Sequence, residues 1–132
     1  KINKFLAEMN TIDSPNYNWF PISASGIEFH IKATNDAHIA LSSVASASNP
    51  MHEVLIGGWN NQKSALRRNQ QVPEEVIIDT PDMLNRNEFK NFWMTWKNGK
   101  LSVYRDNASV PFMMYQIKDE FQINYFGVRT TR

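Results

Sequence analysis

The chain has no cysteine, which removes disulfides, thiolate nucleophiles and cysteine-based zinc sites together. It has no excess of either charge: 14 lysines and arginines against 13 aspartates and glutamates leave a formal net charge of +1. No overall field therefore draws it to nucleic acid, to an anionic membrane or to an acidic substrate. Long apolar runs are absent too. "HIALSSVA" and "PFMMYQI" fall far short of the roughly 20 residues that a spanning helix needs, so membrane insertion is not expected. No window of eleven or more residues keeps helical periodicity, which excludes a helical bundle and a strand–helix alternation. The chain opens at Lys1 without a charged-then-apolar leader, and this start is read as a processing boundary within a larger parent.

What is present is strand-forming. The 132 residues suffice to bury a core without a metal or disulfide, and a single domain over residues 1–132, part of a larger or oligomeric protein, is expected. "GIEFHIK" sets Ile27, Phe29 and Ile31 against Glu28, His30 and Lys32, and "DAHIALSSVA" continues with Ile39 and Leu41 on one face. With Asn35-Asp36 between them, the two segments read as a hairpin. "HEVLIGGW" and "EVIIDT" follow as further strands, and "PFMMYQI" and "INYFGVRT" close the chain. The clearest local signal is Asn98-Gly99, between "WK" and "KLSV", the pair favoured in a two-residue type I′ hairpin turn. "PDMLNRNEFKNF" supports one or two helical turns after Pro81. Eight to ten strands about ten residues apart read as an all-β fold, an antiparallel β-sandwich, jelly-roll-like, with at most one short helix.

Catalytic and metal constellations do not assemble. His30 and His38 would face each other across the expected hairpin, near Glu28 and Asp36, but no orienting partner for either ring and no triad spacing accompanies them, and outer-face polar positions explain them better. Ser42, Ser43 and Ser64 lack a nucleophile elbow. Glu74 and Glu75 are adjacent and diverge on a strand. No catalytic residue, metal site or cofactor is therefore expected.

Recognition chemistry is better supplied. In "IGGWNNQKSALRR" two glycines precede Trp59, and Asn60, Asn61 and Gln62 offer paired donors and acceptors. An indole face beside amides suits a sugar ring, although a core tryptophan followed by an Asn-Asn turn fits the same residues. Arg67 and Arg68 suit a carboxylate or sulfate, yet strand geometry sends them to opposite faces, so only one joins a given site. "SSVASASN", Ser42 to Asn49, is taken as a flexible rim. In "FWMTW", Phe92, Met94 and Trp96 share the core face, leaving Trp93 as the surface tryptophan, with Tyr104 and Arg105 placed to extend its face. Too few basic residues interleave with these aromatics for nucleic acid.

The order "DAHIALSS", "HEVLIGGWNNQKSALRR", "EFKNFWMTW" with "NGKLSV", "PFM" and "YFGVRT" resembles the farnesoic acid O-methyltransferase domain family over roughly residues 17 to 130. The resemblance implies a β-sandwich module, found alone, in tandem or attached to larger proteins that include secreted ones. A secreted or extracellular setting is thus expected, with the cytoplasm as the alternative. The family name implies methyl transfer from S-adenosylmethionine to a terpenoid acid, but Gly57-Gly58 opens no helix and the chain has no strand–helix alternation. The expected function is a non-catalytic recognition module, lectin-like, binding carbohydrate or protein through Trp59, Asn60, Asn61, one of Arg67 and Arg68, and Trp93. The alternatives are an S-adenosylmethionine-dependent methyltransferase acting on a terpenoid acid such as farnesoic acid, and a structural, self-associating extracellular domain. A glycan or protein ligand and a homo-oligomer are the expected partners.

Overall fold

Among the described residues, the alternation of apolar and polar residues produces ten strands in two antiparallel sheets. The computed structural model describes residues 16–69, 74–118 and 120–130. The single-domain reading extends to residues 1–15 and 131–132, which lie outside the described residues. The six-stranded sheet has the spatial order β1 (Asn18–Pro21), β10 (Tyr125–Thr130), β3 (Ala37–Ser42), β4 (Met51–Gly57), β5 (Lys63–Arg67) and β6 (Glu74–Asp79). The four-stranded sheet has the order β2 (Gly26–Ile31), β7 (Lys90–Thr95), β8 (Lys100–Arg105) and β9 (Met113–Gln116). First and last strands pair, as in a jelly roll, while β3–β6 and β7–β9 run as meanders.

Period-two patterning builds the core between the sheets. Ile39, Leu41, Val54, Ile56, Leu66 and Phe126 point inward from the larger sheet. Ile27, Phe29, Phe92, Met94, Leu101 and Val103 meet them from the smaller one. Phe29 bridges the two, its ring 5.8 Å from Phe92 and 5.9 Å from Phe126. Each such side chain contributes about 1.5–3 kcal/mol by leaving water. The Asn98-Gly99 turn joins β7 to β8 with φ values of 55 and 72°, the positive pair that a type I′ turn requires.

Two local expectations are corrected. β2 and β3 do not form a hairpin: β2 pairs with β7, and β3 with β4 and β10. Both strands present an apolar row, and these rows meet across the core rather than within one sheet. Asp36, at φ 55°, donates its N–H to Gly57 O at 2.8 Å, so the turn carries the chain from one sheet to the other. Nor does Pro81 start a helix. Asp82 is left-handed (φ 54°) and donates to Asn61 O at 2.8 Å, while Asn87 N–H is bound by the Asn85 side chain at 2.7 Å. One short helical turn, α1 (Gly58–Asn61), lies instead between β4 and β5.

The direction of β4 fixes the two ends of the sandwich. The segment 43–50 enters it and α1 leaves it, so the two lie at opposite ends of a seven-residue strand, on the order of 20 Å apart. The expected rim, "SSVASASN", therefore does not border Trp59. Among the described residues no helix is long and apolar enough to cross a membrane.

Candidate functional site

The link between β4 and β5 is a run of left-handed backbone: Gly57 at φ 68°, Trp59 at 48°, Asn60 at 63° and Asn61 at 65°. Glycine and asparagine adopt this region readily, whereas tryptophan does so at a cost of roughly 1–2 kcal/mol. The turn is held from outside. Asn61 Nδ2 donates to Leu84 O at 2.9 Å and Asn61 Oδ1 accepts from Leu84 N–H at 3.0 Å. Thr80 N–H donates to Gln62 O at 2.8 Å. Asn61, expected as a ligand contact, is thus a clamp whose amide is engaged on both sides. Asn61→Ala removes both bonds and places a Cβ residue without side-chain compensation at φ 65°. The expected loss is about 2–3 kcal/mol, read as a lowered urea midpoint with faster amide exchange at Leu84.

Trp59 is 46% exposed. The guanidinium of Arg67 lies 5.9 Å from its ring centroid, so the indole lies over the far end of β5. Asn60 is exposed beside it. Trp59, Asn60 and Arg67 therefore do come together, with Arg67 beneath the ring rather than beside it.

Arg67 is itself only 8% exposed, because it belongs to an ionic network on the outer face of the six-stranded sheet. Its Nη1 lies 3.2 Å from the fully buried Glu53 and its Nη2 3.3 Å from Glu74. Arg129 Nη2 approaches the other Glu53 oxygen at 3.5 Å, and the Tyr17 hydroxyl donates to that same oxygen. Arg129 also lies over the Tyr17 ring at 5.1 Å, and Trp19 packs against Tyr17 at 5.3 Å. The result is a ladder of alternating rings and charges from Trp59 to Trp19. Burial, with Glu53 beside it, raises the Tyr17 hydroxyl pKa. Burial, then the nearby Arg129 charge, lowers His38 to about 4, so its ring is neutral, with Nδ1 3.1 Å from Asp36 O. Glu53, Arg129 and Tyr17 escaped the sequence reading because nothing local marks an outer face as covered. The signal existed only in register, where Glu53 lies opposite Arg67.

The remaining expected residues lie elsewhere. Arg68 turns to the other face, as strand geometry requires, and pairs with Glu75 at 3.2 Å, which also meets Lys118 at 3.2 Å. Trp93 sits on the outer face of the four-stranded sheet, stacked on Tyr104 at 3.7 Å with 2° between planes. Tyr104 extends its face as expected, but this face belongs to the other sheet from Trp59. His30 pairs with Glu28 at 3.6 Å; with β2 and β3 in different sheets, His30 and His38 share no site. Among the described residues no three His, Asp or Glu side chains group to hold a metal.

At the end of the sandwich opposite α1, an open cavity of about 420 Å³ is lined by the β1–β2 connection, by Trp96 and by the segment before β10, with His52 of β4 among its walls. Glu120 is the one charged side chain among the described lining residues.

This geometry defines an antiparallel β-sandwich whose conspicuous surface feature is a braced, half-exposed tryptophan. The chain belongs to the farnesoic acid O-methyl transferase family, whose model matches residues 13–132. No curated protein and no solved structure matches it. In the familiar strand–helix methyltransferases the methyl donor lies against an open glycine-rich turn. Gly57 and Gly58 do not form one: a Cβ on Gly57 would lie 2.7 Å from Leu84 Cδ1, and one on Gly58 2.5 Å from Leu55 Cδ2. These glycines admit leucine side chains and leave no open cradle at this turn.

Proposed function

We propose that the domain is a non-catalytic, lectin-like recognition module that binds glycan at the β4–β5 turn. The observation that carries this reading is Trp59. Its side chain is held 46% exposed on left-handed backbone, a strained arrangement of the kind found at ligand clamps. The Asn61 clamp and the Arg67 guanidinium brace the turn and the ring from behind. The free indole face and the neighbouring Asn60 amide offer a C–H stacking surface and hydrogen-bonding groups, the combination that a sugar ring uses. Arg67, engaged by two carboxylates, supports the ring and offers no free charge of its own, so neutral glycans are the expected ligands. Methyl transfer to a terpenoid acid finds less support. The glycines do not cradle the cofactor, and the end cavity offers a terpenoid carboxylate no cationic partner among its lining residues. An extracellular setting, with repeated modules adding avidity to a weak site, fits this reading.

Trp59→Ala on a glycan array carrying neutral, sialylated and sulfated chains tests it. The Asn61 clamp remains in this variant, so the circular dichroism spectrum stays native while glycan binding falls at least about tenfold. Unchanged binding, or an unfolded variant, would assign Trp59 to packing instead.

A further inference from the structure

His52 stands out among the inward-facing residues of β4. It shares parity with Val54 and Ile56, pairs in register with Leu41, and is 2% exposed. Its Nδ1 lies 2.6 Å from the Tyr115 hydroxyl, and Phe121 stacks on the ring at 4.7 Å with 26° between planes. Its Nε2 has no hydrogen bond among the described residues, and the ring lines the end cavity. An imidazole fixed by one nitrogen and stacked on one face is a preorganised contact for whatever enters.

The chemistry of that contact narrows the ligand. If the Tyr115 hydroxyl donates to Nδ1, then Nε2–H donates into the cavity; if Nδ1–H donates to Tyr115, Nε2 accepts. A ligand hydroxyl complements either tautomer. Burial lowers the His52 pKa to about 4, so at neutral pH the ring offers an anion no counter-charge, and Glu120 repels one. Trp96 and Phe121 supply aromatic walls, and Ser23, Ser25, Gln122 and Asn124 supply polar ones. The segment 43–50 adjoins this end through Asn124, which donates from its side chain to Ser43 O at 3.2 Å and from its backbone N–H to Ser42 O at 3.0 Å. A volume of about 420 Å³ falls within the range of small-molecule sites.

We infer that this cavity is a second saccharide subsite, taking the terminal ring of a neutral glycan with His52 Nε2 on a ring hydroxyl. The inference rests on the reading of the domain as a glycan-recognition module but places a separate site at the other end of β4 from Trp59. Its test is imidazole 15N NMR of the whole chain, titrated with the methyl glycosides of glucose, galactose, mannose and N-acetylglucosamine. At least one of them is expected to shift the His52 nitrogens saturably while His30 and His38 stay in place. Ser23→Trp, in the loop lining the cavity, is expected to weaken that response at least about tenfold, and Gln122→Trp, in the segment before β10, gives the same result. Trp59→Ala leaves the response intact. No movement of His52 with any glycoside, or a response that survives both tryptophan insertions, would overturn the inference. Glycan binding lost in Trp59→Ala with His52 unmoved would leave the turn as the binding site and remove this one. A His52 response without any effect of Trp59→Ala on binding would do the reverse.

Discussion

Glu53→Ala is expected to lower stability by about 3–5 kcal/mol, the cost of breaking a buried ion pair from one side. Glu53 is fully buried, and its two oxygens lie 3.2 Å from Arg67 and 3.5 Å from Arg129. Both guanidinium groups are themselves at least nine-tenths buried, so removing the carboxylate leaves two cations facing each other in poorly hydrated surroundings. Tyr17 loses the acceptor of its hydroxyl in the same step. Arg67 retains Glu74, which limits the damage on that side and leaves Arg129 as the more exposed loss. Glu53→Gln keeps the shape and one acceptor oxygen, and is expected to cost less than the alanine variant. Urea unfolding reads both, and the alanine midpoint falls by on the order of 2 M. An unchanged midpoint would mean that the network contributes nothing net to the fold. The prediction also reaches the site, because Arg67 supports the Trp59 ring: tryptophan fluorescence should change well before global unfolding.

Acid should destabilise the domain more steeply than carboxylate titration alone would suggest. His38 and His52 are both lowered from 6.5 to about 4, in each case first by burial and for His38 next by Arg129. A histidine with a depressed native pKa is protonated in the unfolded chain before it is protonated in the native one. Between pH 6.5 and 4 the unfolded state therefore binds more protons, and stability rises with pH. The contribution is fully present above pH 6.5 and is lost as pH falls toward 4. Each histidine accounts for up to about 3 kcal/mol of that loss at about 1.4 kcal/mol per pKa unit. Urea midpoints at pH 7, 6, 5 and 4.5 check this, with His38→Gln flattening part of the slope. A midpoint independent of pH between 6.5 and 4.5 would contradict the buried, neutral state of both rings.

Faces were legible from the sequence where partners were not. Strict alternation placed Phe92 and Met94 inside and Trp93 outside, and sent Arg67 and Arg68 apart, because side-chain parity is a local property of a strand. Asn98-Gly99 was legible for a similar reason: two successive positive φ values are a demand that few dipeptides meet. Pairing is not local. The turn at Asn35-Asp36 marks a reversal, but whether the reversed strand bonds to its predecessor or crosses to the other sheet depends on residues far along the chain. The segment after Pro81 showed the same limit, since its backbone is held by the Asn61 side chain, 23 residues earlier in the chain. His52 was readable in principle: it shares parity with Val54 and Ile56, and that parity puts an imidazole in the core.

Two titrations of the same protein, followed by intrinsic tryptophan fluorescence, separate glycan recognition from methyl transfer. One uses S-adenosylmethionine; the other uses the neutral glycan that binds best on the array. A saturable response to the glycan that weakens at least about tenfold in Trp59→Ala is expected, with a flat response to S-adenosylmethionine up to millimolar concentration. Saturable binding of S-adenosylmethionine, with none for the glycan, would contradict glycan recognition and restore the family name as a description of the chemistry.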